Sequence, residues 1–379
     1  MNFTCTTEDL KSALMRVMPA VATKPMTPIL SGIRIKAIDG KALLHAVNQT
    51  FAIQSRCEAD VAEEGEIIVN GVRFEELVKG SDGETITLAT DKGFSALKVR
   101  SGKASFKLII MKEQEFPELY SEDARDWDIR FALPFGKLME MVSQTGYAVG
   151  RPSGDKEVRP FFLGIVCNVK KDKLTFIGTN SRRIALRSLP IDSNEEKDGL
   201  IIPVNVMLAV AKKMKEKEDT EVQVSFRNGN TVLIQAENWS VLSSLLAGKC
   251  PDVFRVIPPL GPIEFEVEKD ALAGAITRMA LCGEVDEGYS VIAIKTEYGG
   301  IRIHATSREV GVGEEFVPCK VKGGPLNVAF NAAYWMDGLA HMPSDVIRVT
   351  MTTPTSPVVV YPEGEDEYLY VMAPVRQIA

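Results

Sequence analysis

The sequence lacks the motifs on which most enzyme sites are built. Its 379 residues contain no G-x-x-x-x-G-K-[ST], no G-x-G-x-x-G after a predicted strand, no G-x-S-x-G and no H-E-x-x-H. Common phosphate-binding, dinucleotide-binding, serine-hydrolase and zinc-protease arrangements are therefore not indicated. Histidine is equally scarce, since the chain holds only His45, His304 and His341. We expect a protein that is not an enzyme, with no catalytic residue, no cofactor and no metal.

The sequence also lacks an excess of positive charge. Lysine and arginine total 44 against 51 acidic residues, which gives a formal net charge of -7 and a sequence pI near 5.3. Domains that bind nucleic acid often have a pI above about 9. Any contact with DNA must therefore come from a local basic face.

Long apolar runs and paired cysteine motifs are missing as well. No stretch reaches the roughly 18 apolar residues that a membrane helix needs, and the first residues, MNFTCTTEDL, do not resemble a signal peptide. The six cysteines are scattered and form no C-x-x-C motif. We expect a cytoplasmic protein whose thiols are reduced and mostly buried.

A strand-to-helix pattern occurs three times along the chain. Each copy starts at a phenylalanine, Phe3, Phe131 or Phe265, and apolar residues then recur at the spacing of one helix face. The aligned positions of that face are Leu10, Leu14 and Val17, then Leu138, Val142 and Thr145, then Leu272, Ile276 and Met279. The opposite, outward side is predicted to carry Arg16, Gln144 and Arg278.

A second repeated pattern adds another helix to each copy. Segments 67–80, 200–214 and 326–340 pass from a β-rich run through Asn or Pro into a helical pattern. Hairpins are predicted at 33–47, 165–179 and 292–306, with turns at Asp39-Gly40, Lys171-Asp172 and Gly299-Gly300. The sequence thus predicts three repeated α+β domains with two helices each, over residues 1–120, 129–253 and 262–379.

Basic residues gather on several of the predicted helices. The helix that starts near Pro203 ends in AKKMKEK, and we expect Lys213 and Lys217 to share one of its faces. Ordinary solvated helix faces are the alternative explanation for each of these cations. Their recurrence in a threefold repeat makes a shared binding face worth testing.

The whole chain resembles the bacterial DNA polymerase III β subunit family, the sliding clamps of replication. The resemblance depends on MNFT with ATKPMTPIL (22–30), VRSGKASFKL (99–108) followed by EFPEL, FIGTNSRRIALRSLPI (176–191), CPDVFRV (250–256) and VMAPVR (371–376). It implies three clamp domains per chain and a head-to-tail homodimer. The helices would line a ring around double-stranded DNA, with antiparallel sheets outside.

The resemblance also implies surfaces for DNA and for the second chain. Cations expected to face DNA, without reading its sequence, are Arg16, Lys24, Arg73, Lys79, Lys137, Lys213, Lys217 and Arg278. Residues expected at the dimer interface are Phe106, Leu108, Leu281 and Cys282. For Phe106, an ordinary core position is the alternative.

A partner cleft is the third surface that the resemblance implies. It would bind short apolar peptides from the DNA polymerase III catalytic subunit, the clamp loader and other clamp-binding proteins. Its expected residues are Phe162, Thr179, Ser181, Arg182, Arg183, Ile184, Pro251, Val256, Val371, Ala373, Pro374, Val375 and Arg376. Ser181 and Arg182 replace the family's commoner Gly-His, and Ala373 replaces a larger residue, so we expect a different preferred peptide.

These expectations combine into a non-catalytic processivity clamp that tethers the replicative polymerase to DNA. The alternative from another class is a repeat-built scaffold that binds short peptides without encircling DNA. An enzyme with an unrecognised site is the third possibility.

Overall fold

The computed structural model describes residues 1–25, 27–91, 93, 95–111, 116–117, 127–151, 159–248, 250–286 and 289–375. Six α helices lie within these ranges, two in each repeat, as the sequence predicts. They are α1 (Thr7–Val17), α2 (Gly71–Lys79), α3 (Phe135–Gly146), α4 (Val204–Lys213), α5 (Lys269–Ala280) and α6 (Ala332–Ala340). None of the described helices is long and apolar enough to cross a membrane.

Each repeat has one strand before its first helix, a group of four to six strands between its two helices and three strands after the second helix. The first repeat holds β1 (Asn2–Thr6), β2 (Gly32–Ile38), β3 (Lys41–Val47), β4 (Phe51–Glu58), β5 (Asp60–Glu63), β6 (Gly65–Asn70), β7 (Thr85–Thr90), β8 (Ala96–Ser101) and β9 (Ala104–Ile109). The second holds β10 (Ile129–Pro134), β11 (Gly164–Val169), β12 (Lys173–Thr179), β13 (Arg183–Pro190), β14 (Lys197–Pro203), β15 (Glu221–Arg227), β16 (Thr231–Ala236) and β17 (Trp239–Ser244). The third holds β18 (Ile263–Glu268), β19 (Val285–Asp286), β20 (Tyr289–Glu297), β21 (Gly300–Ser307), β22 (Gly311–Pro318), β23 (Lys320–Lys322), β24 (Asn327–Asn331), β25 (Val346–Met351), β26 (Val358–Pro362) and β27 (Tyr368–Met372).

Asparagine side chains cap the N-termini of α2 and α6, at two of the predicted strand-to-helix transitions. The Asn70 Oδ1 accepts a hydrogen bond from the Arg73 N–H (3.0 Å), and the Asn331 Oδ1 accepts from the Ala333 N–H (2.8 Å). Such caps satisfy backbone donors that have no partner within the first helical turn. The strand-to-helix passages are confirmed.

The chain divides into two compact units. Unit 1 comprises Met1–Leu138, Ser193–Glu195 and Asn205–Leu245, and unit 2 comprises Met139–Asp192, Glu196–Val204 and the chain from Leu246 onward. The division runs through the predicted central domain, so the boundaries 1–120, 129–253 and 262–379 stay a prediction.

Unit 1 contains two antiparallel sheets. One has five strands in the order β5-β1-β7-β8-β9, and the other has eight in the order β10-β15-β16-β17-β4-β3-β2-β6. The eight-stranded sheet joins two repeats because Phe51–Ser55 of β4 pairs with Trp239–Ser243 of β17. We call this pairing the first seam.

Unit 2 is built in the same way. A nine-stranded antiparallel sheet has the order β14-β11-β12-β13-β27-β26-β25-β18-β23, and a five-stranded sheet contains β19, β20, β21, β22 and β24. Arg183–Arg187 of β13 pairs with Tyr368–Met372 of β27. This second seam joins the second repeat to the third.

The predicted helix faces form the cores. The nine aligned positions from Leu10 to Met279 are all buried, as the helical spacing predicts. The outward side is not repeated, because Gln144 is only 6% exposed. The last turn of α3 lies against β12, where a Cβ on Gly178 would stand 1.9 Å from the Thr145 carbonyl oxygen. That close approach buries the turn, and the prediction for Gln144 is wrong.

The predicted hairpins are present, with one turn displaced by a residue. Asp39 and Gly40 both have positive φ (48° and 72°), as a two-residue hairpin turn requires. In the third hairpin Glu297 pairs with Gly300, so the turn is Tyr298-Gly299 rather than Gly299-Gly300. Gly299 supplies the positive φ of 78°.

Helix α4 is shorter than its pattern predicts. It ends at Lys213, so Lys217 does not share a helix face with Lys213. The chain beyond is held by Glu216, whose Oε1 accepts from the Trp239 Nε1–H (3.0 Å) and lies 3.4 Å from the Arg16 guanidinium. These tertiary contacts outweigh the helical propensity of a lysine-rich segment.

Candidate functional site

The turn between β12 and β13 is held by its own side chains. The Asn180 Oδ1 accepts from the N–H groups of Arg182 and Arg183, both at 3.1 Å. The Thr179 hydroxyl donates to the Arg183 carbonyl oxygen (2.8 Å). Between them Ser181 has a φ of 73°, in the left-handed region. No pattern in the sequence predicts that conformation.

The end of β27 is fastened to this turn. The Ala373 N–H donates to the Arg182 carbonyl oxygen (2.9 Å), and the Val375 N–H donates to the Ala329 carbonyl oxygen (2.8 Å). The tail therefore runs beside β13 at the end of the second seam. An apolar tail at this position becomes part of a wall rather than a loose end.

A groove of about 190 Å³ opens beside the turn, within unit 2. Most of its lining is apolar, with arginines and two hydroxyl residues at intervals. The lining residues are Arg159, Phe161, Phe162, Thr179, Ser181, Arg182, Arg183, Ile184, Pro251, Val253, Val256, Pro357, Val371 and Ala373. Apolar walls with a few convergent polar groups are typical of ligand sites.

The structure brings together ten of the thirteen residues predicted for the cleft. They are Phe162, Thr179, Ser181, Arg182, Arg183, Ile184, Pro251, Val256, Val371 and Ala373. Pro374 and Val375 follow the wall but are not among its lining residues. Arg376 lies outside the described residues, as do residues 377–379.

Four lining residues were missed by the sequence analysis. The ring of Phe161 packs against that of the predicted Phe162 at a tilt of 48°, with 4.2 Å between ring centroids, so the Phe-Phe pair was a usable signal. Val253 belongs to the short 3-10 turn Val253–Val256, whose spacing also places Val256. Nothing in the sequence pattern points to Arg159 or Pro357.

The two neighbouring arginines of the turn have different environments. Arg183 is buried (7% exposed) and contacts the Asp337 carboxylate at 2.6 Å and the Tyr147 carbonyl oxygen at 2.7 Å. Its guanidinium also lies 4.5 Å from the centroid of the Tyr334 ring. Arg182 is exposed. The charge of Arg183 is thus satisfied inside the protein, and Arg182 is the cation of this pair that faces solvent.

A tyrosine cluster extends inward from Arg183. The hydroxyls of Tyr147 and Tyr368 lie 2.9 Å apart, and the Tyr370 hydroxyl donates to the Tyr334 carbonyl oxygen (2.8 Å). Burial raises the pKa of Tyr147 well above its usual value. These hydrogen bonds connect Tyr147 and Tyr334 to Tyr368 and Tyr370 of β27, the strand that pairs with β13 in the second seam.

The cations predicted to face DNA lie mostly on helices of unit 1. Lys24, Lys137, Lys213 and Lys217 are exposed, and Lys212 and Lys215 are exposed beside them. Arg16 is half-buried and contacts Glu216. Because Glu216 is occupied there and by Trp239, the segment from Lys212 to Lys217 presents four lysines to solvent.

The remaining predicted cations form exposed ion pairs. Arg73 contacts Glu76 at 2.9 Å and Lys79 contacts Glu75 at 2.8 Å on the same helix. In unit 2, Arg278 contacts Glu315 at 2.6 Å, and this hydrogen bond lowers the pKa of Glu315. Exposed pairs of this kind contribute little stability, so either partner can exchange readily.

The residues predicted for the dimer interface lie at open edges. β9 and β22 are the terminal strands of their sheets among the described residues. Phe106 on β9 is 36% exposed and its neighbour Ile109 is 82% exposed, which does not fit the alternative of a core position for Phe106. Leu108 and Cys282 are half-buried, and Leu281 is 74% exposed at the end of α5.

Thiols and potential metal ligands are dispersed over the described residues. All six cysteines are free, but only Cys5, Cys57 and Cys167 are buried, so the expectation of mostly buried thiols holds for half of them. No group of three or more His, Cys, Asp or Glu side chains within the described ranges could hold a metal ion.

Comparison with known proteins gives matches over nearly the whole chain. Family models of the DNA polymerase III beta subunit match residues 1–120 (N-terminal domain), 132–252 (central domain) and 254–376 (C-terminal domain). The chain is 26% identical to the beta sliding clamp of Staphylococcus aureus over 385 aligned residues and 27% identical to that of Staphylococcus epidermidis, with 99% of each chain covered.

Solved structures give the same result. The DNA polymerase sliding clamp from Bacillus subtilis matches with a TM-score of 0.91 at 25% identity, covering 100% of this chain and 99% of that one. A sliding clamp from Pseudomonas aeruginosa bound to griselimycin matches with a TM-score of 0.92 at 25% identity, covering 100% of both chains.

Proposed function

We infer that this chain, which belongs to the DNA polymerase III beta subunit family, is a DNA sliding clamp, a non-catalytic processivity factor. The observation that carries this function is the match of all three clamp domains in order along one chain. It favours the clamp over a peptide-binding scaffold that never encloses DNA. The family acts on DNA in the cytoplasm, and we expect the same location for this chain.

The pattern of the two seams supports a head-to-tail dimer. In each seam the last strand of one repeat, β17 or β27, pairs with the third hairpin strand of the repeat before it, β4 or β13. The corresponding strands that remain are β9 and β22, both at open edges. Pairing β22 of one chain with β9 of a second would complete the set. Such pairing would also protect two edges that otherwise invite aggregation.

Apolar residues at these edges support the same arrangement. Phe106 and Leu108 on β9, and Leu281 and Cys282 at the end of α5, would then be covered by the second chain. Val312 on β22 is 75% exposed and would be covered with them. Two such contacts would close a ring of six repeats.

DNA would be held by phosphate attraction without base readout. Lys24, Lys137, Lys213 and Lys217 are exposed at the surface. Arg73, Lys79 and Arg278 would exchange a carboxylate for a phosphate. Arg16 is half-buried and would act mainly through Glu216. A closed ring retains DNA by topology, so a modest cationic lining and a net charge of -7 are compatible.

The groove beside the second seam is our candidate for the partner cleft. It would bind a short apolar peptide of the polymerase III catalytic subunit, the clamp loader or another clamp-binding protein. Ile184, Val371 and Val256 would receive apolar anchors, and Arg182 would help to orient the peptide. Pro374 and Val375 would hold the wall rather than touch the ligand.

Retention on circular DNA tests the ring. Wild-type protein, with a solution mass twice 41.6 kDa, should stay on nicked circular duplex after loading and leave within seconds of linearisation. Leu108→Glu should give the monomer mass and lose retention on circles, because it places a charge in an apolar contact. Thr85→Glu adds the same charge to an exposed site on β7, which lies inside the same sheet and not at its open edge, and serves as the control. Equal loss of the wild type from circular and linear duplex would disprove the clamp.

A further inference from the structure

Ser181 is the unusual residue of the groove. Among the described residues, three that are not glycine have a positive φ: Asp39 (48°), Asn228 (52°) and Ser181 (73°). Asparagine and aspartate tolerate this region well, whereas serine seldom occupies it. A strained residue at a ligand site invites a functional explanation, provided that the turn itself does not require the strain.

The matching turn in unit 1 shows that the asparagine cap does not require the strain. There the Asn48 Oδ1 accepts from the N–H groups of Thr50 (2.8 Å) and Phe51 (3.0 Å), just as Asn180 does in unit 2. The residue that corresponds to Ser181 is Gln49, which is not among the described residues with positive φ. The same cap is therefore compatible with ordinary backbone geometry.

Thr179 accounts for the difference between the two turns. Its hydroxyl donates to the Arg183 carbonyl oxygen (2.8 Å) and lies 3.4 Å from the Ser181 N–H, which turns that N–H inward. The corresponding residue in unit 1 is Val47, which has no hydroxyl. Glycine at position 181 would adopt the same backbone without strain. The backbone explains the positive φ but not the choice of serine.

The serine side chain has no structural partner that explains it. Ser181 is exposed and lines the groove, and no hydrogen bond of its Oγ occurs among the described residues. Its hydroxyl is therefore available to a ligand. A group retained at a conformational cost, aimed at a cavity and without an internal partner, is suited to recognition.

The charges around the groove indicate which ligand group suits it. No aspartate or glutamate is among its described lining residues, while Arg159, Arg182 and Arg183 are. Asp337 neutralises Arg183, whereas Arg159 and Arg182 are exposed and form no ion pair within the described part of the chain. Ser181 and Arg182 both line the groove, and a hydroxyl and a guanidinium together offer donors to one carboxylate.

We propose that Ser181 and Arg182 form a carboxylate-recognition position, so that this chain selects partner peptides with an acidic residue beside their apolar anchors. The inference rests on the proposed peptide-binding function of the groove and adds the class of peptide. Ser181 is a specificity-determining residue and Arg182 supplies the opposite charge.

Matched peptides measure this preference. The probes are fluorescein-labelled pentapeptides with three leucines as apolar anchors, synthesised with glutamate or glutamine at each remaining position. Wild-type protein should bind the best glutamate peptide about tenfold more tightly than its glutamine partner, since one charge-assisted hydrogen bond is lost. Arg182→Gln should abolish the preference.

Three further variants separate the hydroxyl from the strain. Ser181→Gly should raise the melting temperature yet reduce the glutamate preference by about threefold, the effect of one neutral hydrogen bond. Ser181→Ala keeps the Cβ and the strain, and it should show the same threefold reduction in the glutamate preference without the gain in melting temperature. Gln49→Gly, in the matched turn of unit 1, is the control and should leave the peptide preference unchanged.

The outcomes distinguish the proposal from the function beneath it. If wild-type protein binds the peptides but Ser181→Gly and Ser181→Ala keep its full glutamate preference, the carboxylate position is wrong and the peptide groove stands. The carboxylate position is also wrong if wild-type protein binds glutamine peptides as tightly as glutamate peptides. If no peptide binds the wild type, the peptide-binding function fails and the carboxylate position fails with it.

Discussion

The two seams share a backbone construction and differ in their side chains. In the first, the Ser244 N–H donates to the Thr50 carbonyl oxygen (3.3 Å), and in the second the Ala373 N–H donates to the Arg182 carbonyl oxygen (2.9 Å). An asparagine caps the adjoining turn in both, at Asn48 and at Asn180. The antiparallel pairing and the turn therefore belong to the repeat, not to a particular ligand.

The segments after the last strand differ between the two seams. After β17 the chain is held by the Leu245 N–H, which donates to the Asn230 carbonyl oxygen (2.8 Å), and it continues into the connector. After β27 come Ala373, then Pro374, which has no N–H, and Val375. Arg183 also stands where the first seam has the buried Phe51. A groove at the second seam thus depends on local side chains and on the tail.

Among the changes that test the difference between the two seams, removal of the tail should have the largest effect, a loss of peptide affinity. A chain that ends at Met372 loses the Ala373 hydrogen bond and one wall of the groove. We expect affinity for the glutamate peptide to fall by more than about a hundredfold, because hot spots cluster in the desolvated part of such sites. Fluorescence anisotropy measures the loss. The dimer mass and retention on circular DNA should not change, and unchanged peptide affinity would remove the tail from the cleft.

Arg183→Met should have the next largest effect. The change leaves Asp337 without its partner and removes the stacking on Tyr334. Breaking a buried pair costs several kcal/mol, and because Asp337 is half exposed we expect a loss of about 2 kcal/mol in the free energy of unfolding. Urea denaturation measures it. Arg182→Met, at the exposed neighbour, should change stability by less than about 0.5 kcal/mol. Equal losses for both variants would contradict the different environments of the two arginines.

A smaller difference between the two units should appear in how the free energy of unfolding depends on pH. His45 on β3 pairs with Gln54 of β4, next to the first seam, whereas Ile177 pairs with Leu186 at the matching place in unit 2. Burial, followed by the charge of Arg34, lowers the pKa of His45 from 6.5 to about 4. Between pH 6.5 and about 4 the unfolded chain therefore binds a proton at His45 that the folded chain does not bind.

The sign of the effect follows from that difference. The folded-state pKa is depressed, so the stabilisation is complete above pH 6.5 and is lost as the pH falls toward 4. Between pH 7 and 5.5 the wild type should lose about 1 kcal/mol more than His45→Gln. Urea titrations at both pH values measure the free energies, and hydrogen exchange should place the loss in β3 and β4. An identical loss in both proteins would show that His45 is not the cause.

Helix faces were predictable because they depend on local spacing. Leu10, Leu138 and Leu272 are buried as their periodicity predicts. Gln144 failed the same rule because the last turn of α3 lies close to β12 at Gly178, a contact that the helical spacing does not reveal. Helix α4 stops early because Glu216 is engaged by Trp239. Both departures depend on residues distant in sequence.

The candidate site also has features that the sequence predicted and features that depend on tertiary contacts. Ile184, Pro251 and Val371 were expected from the family resemblance, and the groove contains them. The left-handed conformation of Ser181 was not expected, because it depends on where the Thr179 hydroxyl points in the folded turn. Likewise, no sequence pattern indicates that one arginine of an adjacent pair is neutralised by Asp337 and the other is exposed.

The seams also bear on how freely such a chain can diverge. Both are held by main-chain groups, along Phe51–Ser55 in one and Arg183–Arg187 in the other. Those groups are the same for every residue except proline. Mutations can accumulate in these strands without loss of the junction, provided that the buried faces stay apolar. The residues around a groove can therefore change during evolution, as Ser181 illustrates, while the two seams between the repeats are kept.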